Sequence, residues 1–257
     1  MSLTLSEVYA KVDAQPDSKL VGYVFDDPIH YVVLNKQGDD IDLDMVKRLN
    51  EVYDLVDKSQ DKGILVTIGR KDTKIFNQGF NLEFWSQNAL NPYSSLAEYQ
   101  LLLGKILTLG LPSLCVMNGH TFAGGVFLGV THDFRIMTND SSKKVCLSEI
   151  NLGFNMPKAY GKIIKETTTR QAYRKLSLGA MLSPQEALDL DVVDDLFDGL
   201  DDCESKIKAF AEKYDSVCAK RDPIKTNKET TFYELTKQIQ KGAFTADEVA
   251  FFTSSKL

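Results

Sequence analysis

The chain reads as an α/β protein in which a strand, a turn and a helix recur. Three observations predict that class. Apolar runs of strand length at residues 63–68 and 113–117 are separated by segments of helical spacing, such as 44–56. The run at 113–117 leads through Asn118-Gly119 to Ala123-Gly124-Gly125, then to apolar residues as far as Val130. The run at 63–68 leads into Lys74 to Leu82, where Gly79 again stands ahead of a helix-like stretch. A strand that ends at a glycine turn and restarts as a helix leaves N–H groups unpaired at the helix start, where the dipole favours negative charge. Glycine also lets a ligand approach the backbone with no Cβ in the way. Two such turns can each aim one N–H at the same oxygen.

Composition narrows the classes. With 257 residues, 43% hydrophobic and 26% charged, the chain has enough apolar material for one good core plus a small appendage. A net charge of -6 argues against a nucleic-acid surface, which needs a basic face. No apolar run approaches the length of a membrane span. Cys115, Cys146, Cys203 and Cys218 have neither metal-site nor disulfide-framework spacing and are expected as buried thiols. Residues 1–19 are polar and mixed in charge, unlike a secretory signal or an Arg-rich transit peptide.

The elements follow in order. Residues 23–25 and 31–34 form a hairpin turned by Asp26-Asp27-Pro28. Met45, Leu49, Val52, Tyr53 and Val56 give 44–56 its helical face, and 63–68 is a buried strand. Residues 82–109 carry Phe84, Trp85, Tyr93, Leu96 and Tyr99 at helical spacing. Core packing is the simpler reading there, with an apolar ligand wall of Phe80, Phe84 and Trp85 as the rival. Residues 133–136 read as a short strand leading to Ser148-Glu149-Ile150, a single carboxylate among apolar neighbours before Gly153. After Phe154-Asn155-Met156-Pro157, a helix is expected over 158–175. Ser183-Pro184 starts another, with a serine cap and proline at the first helical position. Two or three helices are expected from residue 201 onward.

The stretches F-N-Q-G-F-N-L, N-G-H-T-F-A-G-G-V-F-L-G-V-T-H-D-F-R-I and S-E-I-N-L-G resemble, in order and spacing, the signature of the crotonase (enoyl-CoA hydratase/isomerase) superfamily. The similarity runs from about Gly22 to Phe197. It implies a crotonase (ClpP-like) spiral of repeated β-β-α units over residues 1–199 and a C-terminal helical region over 200–257. It also implies acyl-CoA binding and a thioester enolate held by two backbone N–H groups, here those of Phe80 and Gly124. Gln78, Gly79, Leu82, Gly125, Phe127 and Asn155 would line the substrate site, and Lys36 would meet the coenzyme A phosphates. Lys71, Lys74, Lys143 and Lys144 are further candidates for the phosphates. Where the family usually has a glycine before an apolar-Val pair, this chain has Asp191, which tolerates the left-handed conformation. The resemblance further implies a homotrimer or hexamer, and no cofactor beyond the coenzyme A of the substrate.

Hydration of a 2-enoyl-CoA in that family uses two glutamates. One matches Glu149. The other lies three residues after the oxyanion-hole glycine, where this chain has Phe127, and no carboxylate lies between Asn118 and Val130. A phenyl group cannot hold water or shuttle a proton, so hydration is disfavoured. Moving a double bond from the 3- to the 2-position needs one base, which takes a proton from the α-carbon and returns it at the γ-carbon. This pattern is similar to the Δ3,Δ2-enoyl-CoA isomerase branch, with Glu149 as sole acid/base. Alternatives are a hydratase or dienoyl-CoA isomerase of the same fold, or a non-catalytic acyl-CoA-binding member. His120 is the fallback base; His30 and His132 read as structural. Asn155 and Tyr160 would either meet the thioester or cap the following helix, capping being the simpler role. No metal site is expected. Ser255, Lys256 and Leu257 spell a peroxisomal address, which implies an import receptor as partner and the peroxisomal matrix as location.

Overall fold

The computed structural model describes residues 2–59 and 61–241. It opens with helix α1 (Leu5–Asp13), capped by a reciprocal Thr4–Glu7 box. The antiparallel hairpin β1 (Val21–Asp26) and β2 (Ile29–Leu34) follows. Helix α2 (Leu43–Lys58) is capped by Asp42, whose carboxylate accepts from the Met45 N–H at 2.8 Å. Then the chain spirals. Strand β3 (Ile64–Gly69) is followed by β4 (Ile75–Asn77) and by helices α3 (Leu82–Gln87) and α4 (Asn91–Leu107). Strand β5 (Ser113–Met117) is followed by β6 (His120–Phe122) and α5 (Gly124–Val130). Strand β7 (Phe134–Thr138) is followed by β8 (Val145–Cys146) and a 3₁₀ turn at Ser148–Leu152.

Each circuit thus deposits one strand in each of two sheets. The six-stranded sheet has the order β1-β2-β3-β5-β7-β9, the last strand being β9 (Asp195–Phe197), and is parallel from β2 onward. The three-stranded sheet, β4-β6-β8, is wholly parallel. Its three strands therefore end along the same edge.

The larger sheet is buried on both faces, which is why β2, β3 and β5 are apolar nearly throughout. Alternation sorts their side chains. Val32, Leu34, Leu65, Cys115 and Met117 face α2, α4 and α5, whereas Tyr31, Val33, Ile64, Val66, Leu114 and Val116 face α1 and the long helix α9 (Gly199–Cys218). The first helix of the C-terminal region thus shares a core with the spiral. Beyond it lie α10 (Arg221–Thr231) and α11 (Tyr233–Gln240). Lys228 of α10 donates to the Leu111 carbonyl at 2.8 Å and to the Asp133 carboxylate at 2.7 Å, tying that region to the start of β5.

Two expectations need correction. The stretch 158–175 is not one helix but two, α6 (Lys158–Thr167) and α7 (Arg170–Leu176). Three consecutive threonines interrupt it, and the Thr169 hydroxyl caps α7 by accepting from the Ala172 N–H at 3.1 Å. Nor do Asn155 and Tyr160 cap α6; its N-cap is Pro157, with no side-chain bond. The Ser183 cap of α8 (Pro184–Asp189) forms as expected, as a full capping box with Glu186. All four cysteines are buried and free. Residues 255–257 lie outside the described residues, so the expected address has no structural counterpart here.

Asp191 stands at φ 56°, the left-handed conformation for which a glycine is the usual choice. Asp191→Gly should keep or slightly raise stability, whereas Asp191→Val should lower it by about 1–2 kcal/mol. Urea denaturation of the three proteins checks this, and equal midpoints for Gly and Val would contradict it.

Candidate active site

The edge at which β4, β6 and β8 end carries the three sequence motifs side by side: Gln78-Gly79-Phe80, Ala123-Gly124-Gly125 and Ser148-Glu149. The first two turns touch through their backbones. A Cβ added to Gly79 (φ 90°) would lie 2.6 Å from the Ala123 Cβ and 3.1 Å from the Gly124 nitrogen. One added to Gly125 would lie 2.7 Å from the Asn77 carbonyl oxygen. The 2.6 and 2.7 Å distances are shorter than real Cβ contacts, so glycine is what allows this approach.

The donor peptides are held from behind. The Gly79 carbonyl accepts from the Ile41 N–H at 2.7 Å, and the Asn81 N–H donates to the Ile41 carbonyl at 2.9 Å. This parallel bridge spends both Ile41 groups on the residues flanking Phe80 and leaves the Phe80 N–H facing the other way. Gly79 is also fixed by donating its N–H to Asn77 Oδ1 at 2.9 Å. In the second turn the Ala123 N–H donates to the Cys146 carbonyl at 2.9 Å, and the Ala123 carbonyl accepts from Val126 at 3.0 Å. Gly124 is the first residue of α5, so its N–H has no acceptor within the helix. Among the described residues no turn or loop bond uses the N–H of Phe80 or Gly124.

In front of these turns lies a cleft walled by Phe80, Leu82, Trp85, Leu96, Phe127 and Tyr160, with Gln78, Glu149 and Asn155 among its polar residues. Phe80 stacks on Trp85 at 5.0 Å between ring centroids, and Phe127 meets Tyr160 edge-on at 4.8 Å. Glu149 Oε2 is buried and has no hydrogen-bond partner among the described residues. Burial pushes the carboxyl up from 4.5 to about 7, a shift that its own backbone hydrogen bond only partly opposes. A carboxyl poised there takes a proton and gives it back near neutral pH.

Of the sequence candidates, Gln78, Phe80, Leu82, Phe127, Glu149 and Asn155 meet in this cleft. Gly79, Gly124 and Gly125 lie behind it as the packed backbone. Lys36 is elsewhere: its Nζ pairs with both Asp40 and Asp42, and it lines a separate groove with Lys19, Arg70 and Lys71. Phe84 packs against the core, while Trp85 serves both wall and core. The three histidines are structural. His120 Nδ1 accepts from the Lys144 N–H at 3.1 Å, His30 Nδ1 bonds the Tyr23 hydroxyl at 2.9 Å, and His132 bridges the Leu128 carbonyl and the Thr67 hydroxyl. Sequence reasoning did not single out Leu152 or Met156 as cleft residues, nor Tyr99 behind it. Apolar helical spacing looks the same for a wall, a core or a clamp. No cluster of metal-ligand side chains occurs among the described residues, and no described helix is long and apolar enough to cross a membrane.

A two-sheet α/β spiral in which two glycine turns meet beside a buried carboxylate is the arrangement that the sequence motifs imply. The enoyl-CoA hydratase/isomerase family profile matches residues 29–251, and the chain belongs to that family. It is 30% identical over 146 residues to "Enoyl-CoA delta isomerase 2, peroxisomal" of Arabidopsis thaliana, covering 53% of this chain and 60% of that protein. Over 142 residues it is 30% identical to "Enoyl-CoA delta isomerase 1, mitochondrial" of mouse, covering 54% of this chain and 49% of that one. The human mitochondrial delta3-delta2-enoyl-CoA isomerase structure superposes with a TM-score of 0.77 at 19% identity, over 91% of this chain and 92% of its own. An enoyl-CoA hydratase of Bacillus halodurans gives 0.80 at 16% identity, over 92% and 96%. These structural likenesses establish the fold.

The raised Glu149 pKa has a consequence for stability. The folded chain holds this proton more tightly than the unfolded one, so the group's contribution is most favourable below 4.5 and is lost as pH rises towards about 7. Glu149→Gln removes the titration and keeps the shape. Its stability relative to wild type should be higher at pH 8 than at pH 5 by about 2–3 kcal/mol. Denaturation at both pH values measures the difference, and no difference would mean an exposed or paired carboxylate.

Proposed function

We propose that this protein is a Δ3,Δ2-enoyl-CoA isomerase that shifts the double bond of a 3-enoyl-CoA to trans-2-enoyl-CoA, a step of fatty acid β-oxidation. The observation that carries the reading is that, among the described residues, Glu149 is the single carboxylate lining the cleft, with Phe127 walling the same cleft where a hydratase would carry its second one. The thioester oxygen would sit against the Phe80 and Gly124 N–H groups. Glu149 takes the α-proton, the negative charge of the dienolate gathers on that oxygen, and the same carboxyl returns the proton at the γ-carbon. Each aimed donor contributes roughly 10²–10³ in rate and a positioned base about 10²–10⁴. The apolar wall excludes the water that a hydratase would have to hold.

Coenzyme A enters as part of the substrate, and the proposed reaction needs no other cofactor. The delta-isomerase names of the relatives support the reading, and those relatives carry both peroxisomal and mitochondrial labels. The peroxisomal matrix, with Ser255, Lys256 and Leu257 read by the import receptor, and a trimeric or hexameric assembly belong to the same proposal.

The test is a spectrophotometric assay of purified protein with trans-3-hexenoyl-CoA, set against hydration of 2-hexenoyl-CoA. Wild type should isomerise and not hydrate, and Glu149→Gln should lose at least about 10²-fold in kcat. Because the base must be ionised in the free enzyme, kcat/KM should rise with pH and level off above about 7. Strong hydration would sink the single-carboxylate argument; isomerisation that survives Glu149→Gln would sink the assignment of the base.

A further inference from the structure

Tyr99 lies outside the cleft lining, yet it touches both donor turns. It is fully buried on α4. Its hydroxyl donates to the Gly124 carbonyl at 2.7 Å. Its ring meets the Phe80 ring edge-on, 5.3 Å between centroids at 83°. We infer that Tyr99 is a positioning residue for the oxyanion site, holding the Gly124 turn by its hydroxyl and the Phe80 turn by its ring. This rests on the proposed reading of the cleft as an enolate site.

The turn needs such a hold. Ala123 sits at φ 48°, ψ -118°, a conformation that L-residues rarely adopt and that persists only where its surroundings impose it. Gly124 and Gly125 have no side chains for packing to grip, and glycine has the widest choice of backbone conformations. Directional bonds must therefore fix the direction of the Gly124 N–H. On one side stands the Ala123 N–H bond to the Cys146 carbonyl at 2.9 Å. On the other stands the Tyr99 hydroxyl, the side-chain partner of Gly124 itself. Without it the strained turn has a route to relax, and relaxation rotates the donor. Packing against Phe80 would link the two turns, so that both N–H groups keep a common target.

The variant Tyr99→Phe keeps the ring, its packing and the fold, and removes only the hydroxyl. With the 3-enoyl-CoA substrate, kcat should fall about 10-fold or more while KM moves less than about 2-fold, because a donor aimed at developing charge acts mainly in the transition state. A second readout needs no turnover. Acetoacetyl-CoA, a 3-oxoacyl-CoA, absorbs in the near ultraviolet as its enolate, and the oxyanion site should favour that form. The bound enolate fraction should drop in Tyr99→Phe. Tyr53→Phe is the matched control. It also loses a buried tyrosine hydroxyl, one bonded to Thr67 Oγ1 at 2.8 Å away from the cleft, and should leave both readouts at wild-type level.

The inference is overturned if Tyr99→Phe matches wild type in kcat and enolate band, or if Tyr53→Phe lowers them equally. If wild type forms the enolate band but does not isomerise, the substrate reading falls and the band in Tyr99→Phe alone decides the role of Tyr99. If wild type does neither, both readings fall.

Discussion

Two backbone turns meeting with nothing between them is the constraint on which the rest of this structure depends. Gly79, Gly124 and Gly125 leave no room for even one methyl group at the junction. That contact forms only if the strands feeding the turns lie side by side and end at the same level. The three-stranded sheet β4-β6-β8 supplies both conditions by being parallel. The spiral, in turn, makes a parallel sheet possible, since each strand must be reached by a full circuit of chain. Large sheet, helical circuit and small sheet are successive requirements of one junction.

The site is assembled from groups that oppose folding locally. A buried, unpartnered carboxyl, an alanine at positive φ and N–H groups without acceptors all raise the free energy of the folded chain. The six-stranded sheet, covered by helices on both faces, offsets them by burying apolar side chains from alternate positions of β2, β3 and β5. The wide sheet carries most of the core, and the narrow one carries the edge at which the proposed site lies.

Much of this was legible in the chain. The 113–117 run coincides with β5, and the Ser183 cap and the left-handed Asp191 are where the residues place them. Glu149 and Phe127, singled out through the S-E-I and A-G-G-V-F motifs of the family resemblance, do both line the cleft, because a short motif stays local in sequence. What was hidden depends on partners distant in the chain. Lys36 reads as a free cation until the fold sets Asp40 and Asp42 against it. Tyr99 looks like any core aromatic until α4 packs beneath the turns. The Thr4–Glu7 box that starts α1 is spelled locally, within residues 1–19, whose mixed charge otherwise resembles a solvated tail. The break between α6 and α7 lay in three threonines, each individually tolerable in a helix.

Both of the N–H groups proposed as oxyanion donors, those of Phe80 and Gly124, belong to the main chain, and that bears on how such a protein changes over time. No substitution can delete a backbone N–H except one to proline; side chains can only bend it or leave it where it is. The donor pair is therefore inherited as a path of the chain rather than as a set of amino acids. Glu149 has no such protection, since a single codon carries it. In the proposed site the pocket for the anion rests on the path of the chain, and the proton transfer rests on one replaceable side chain.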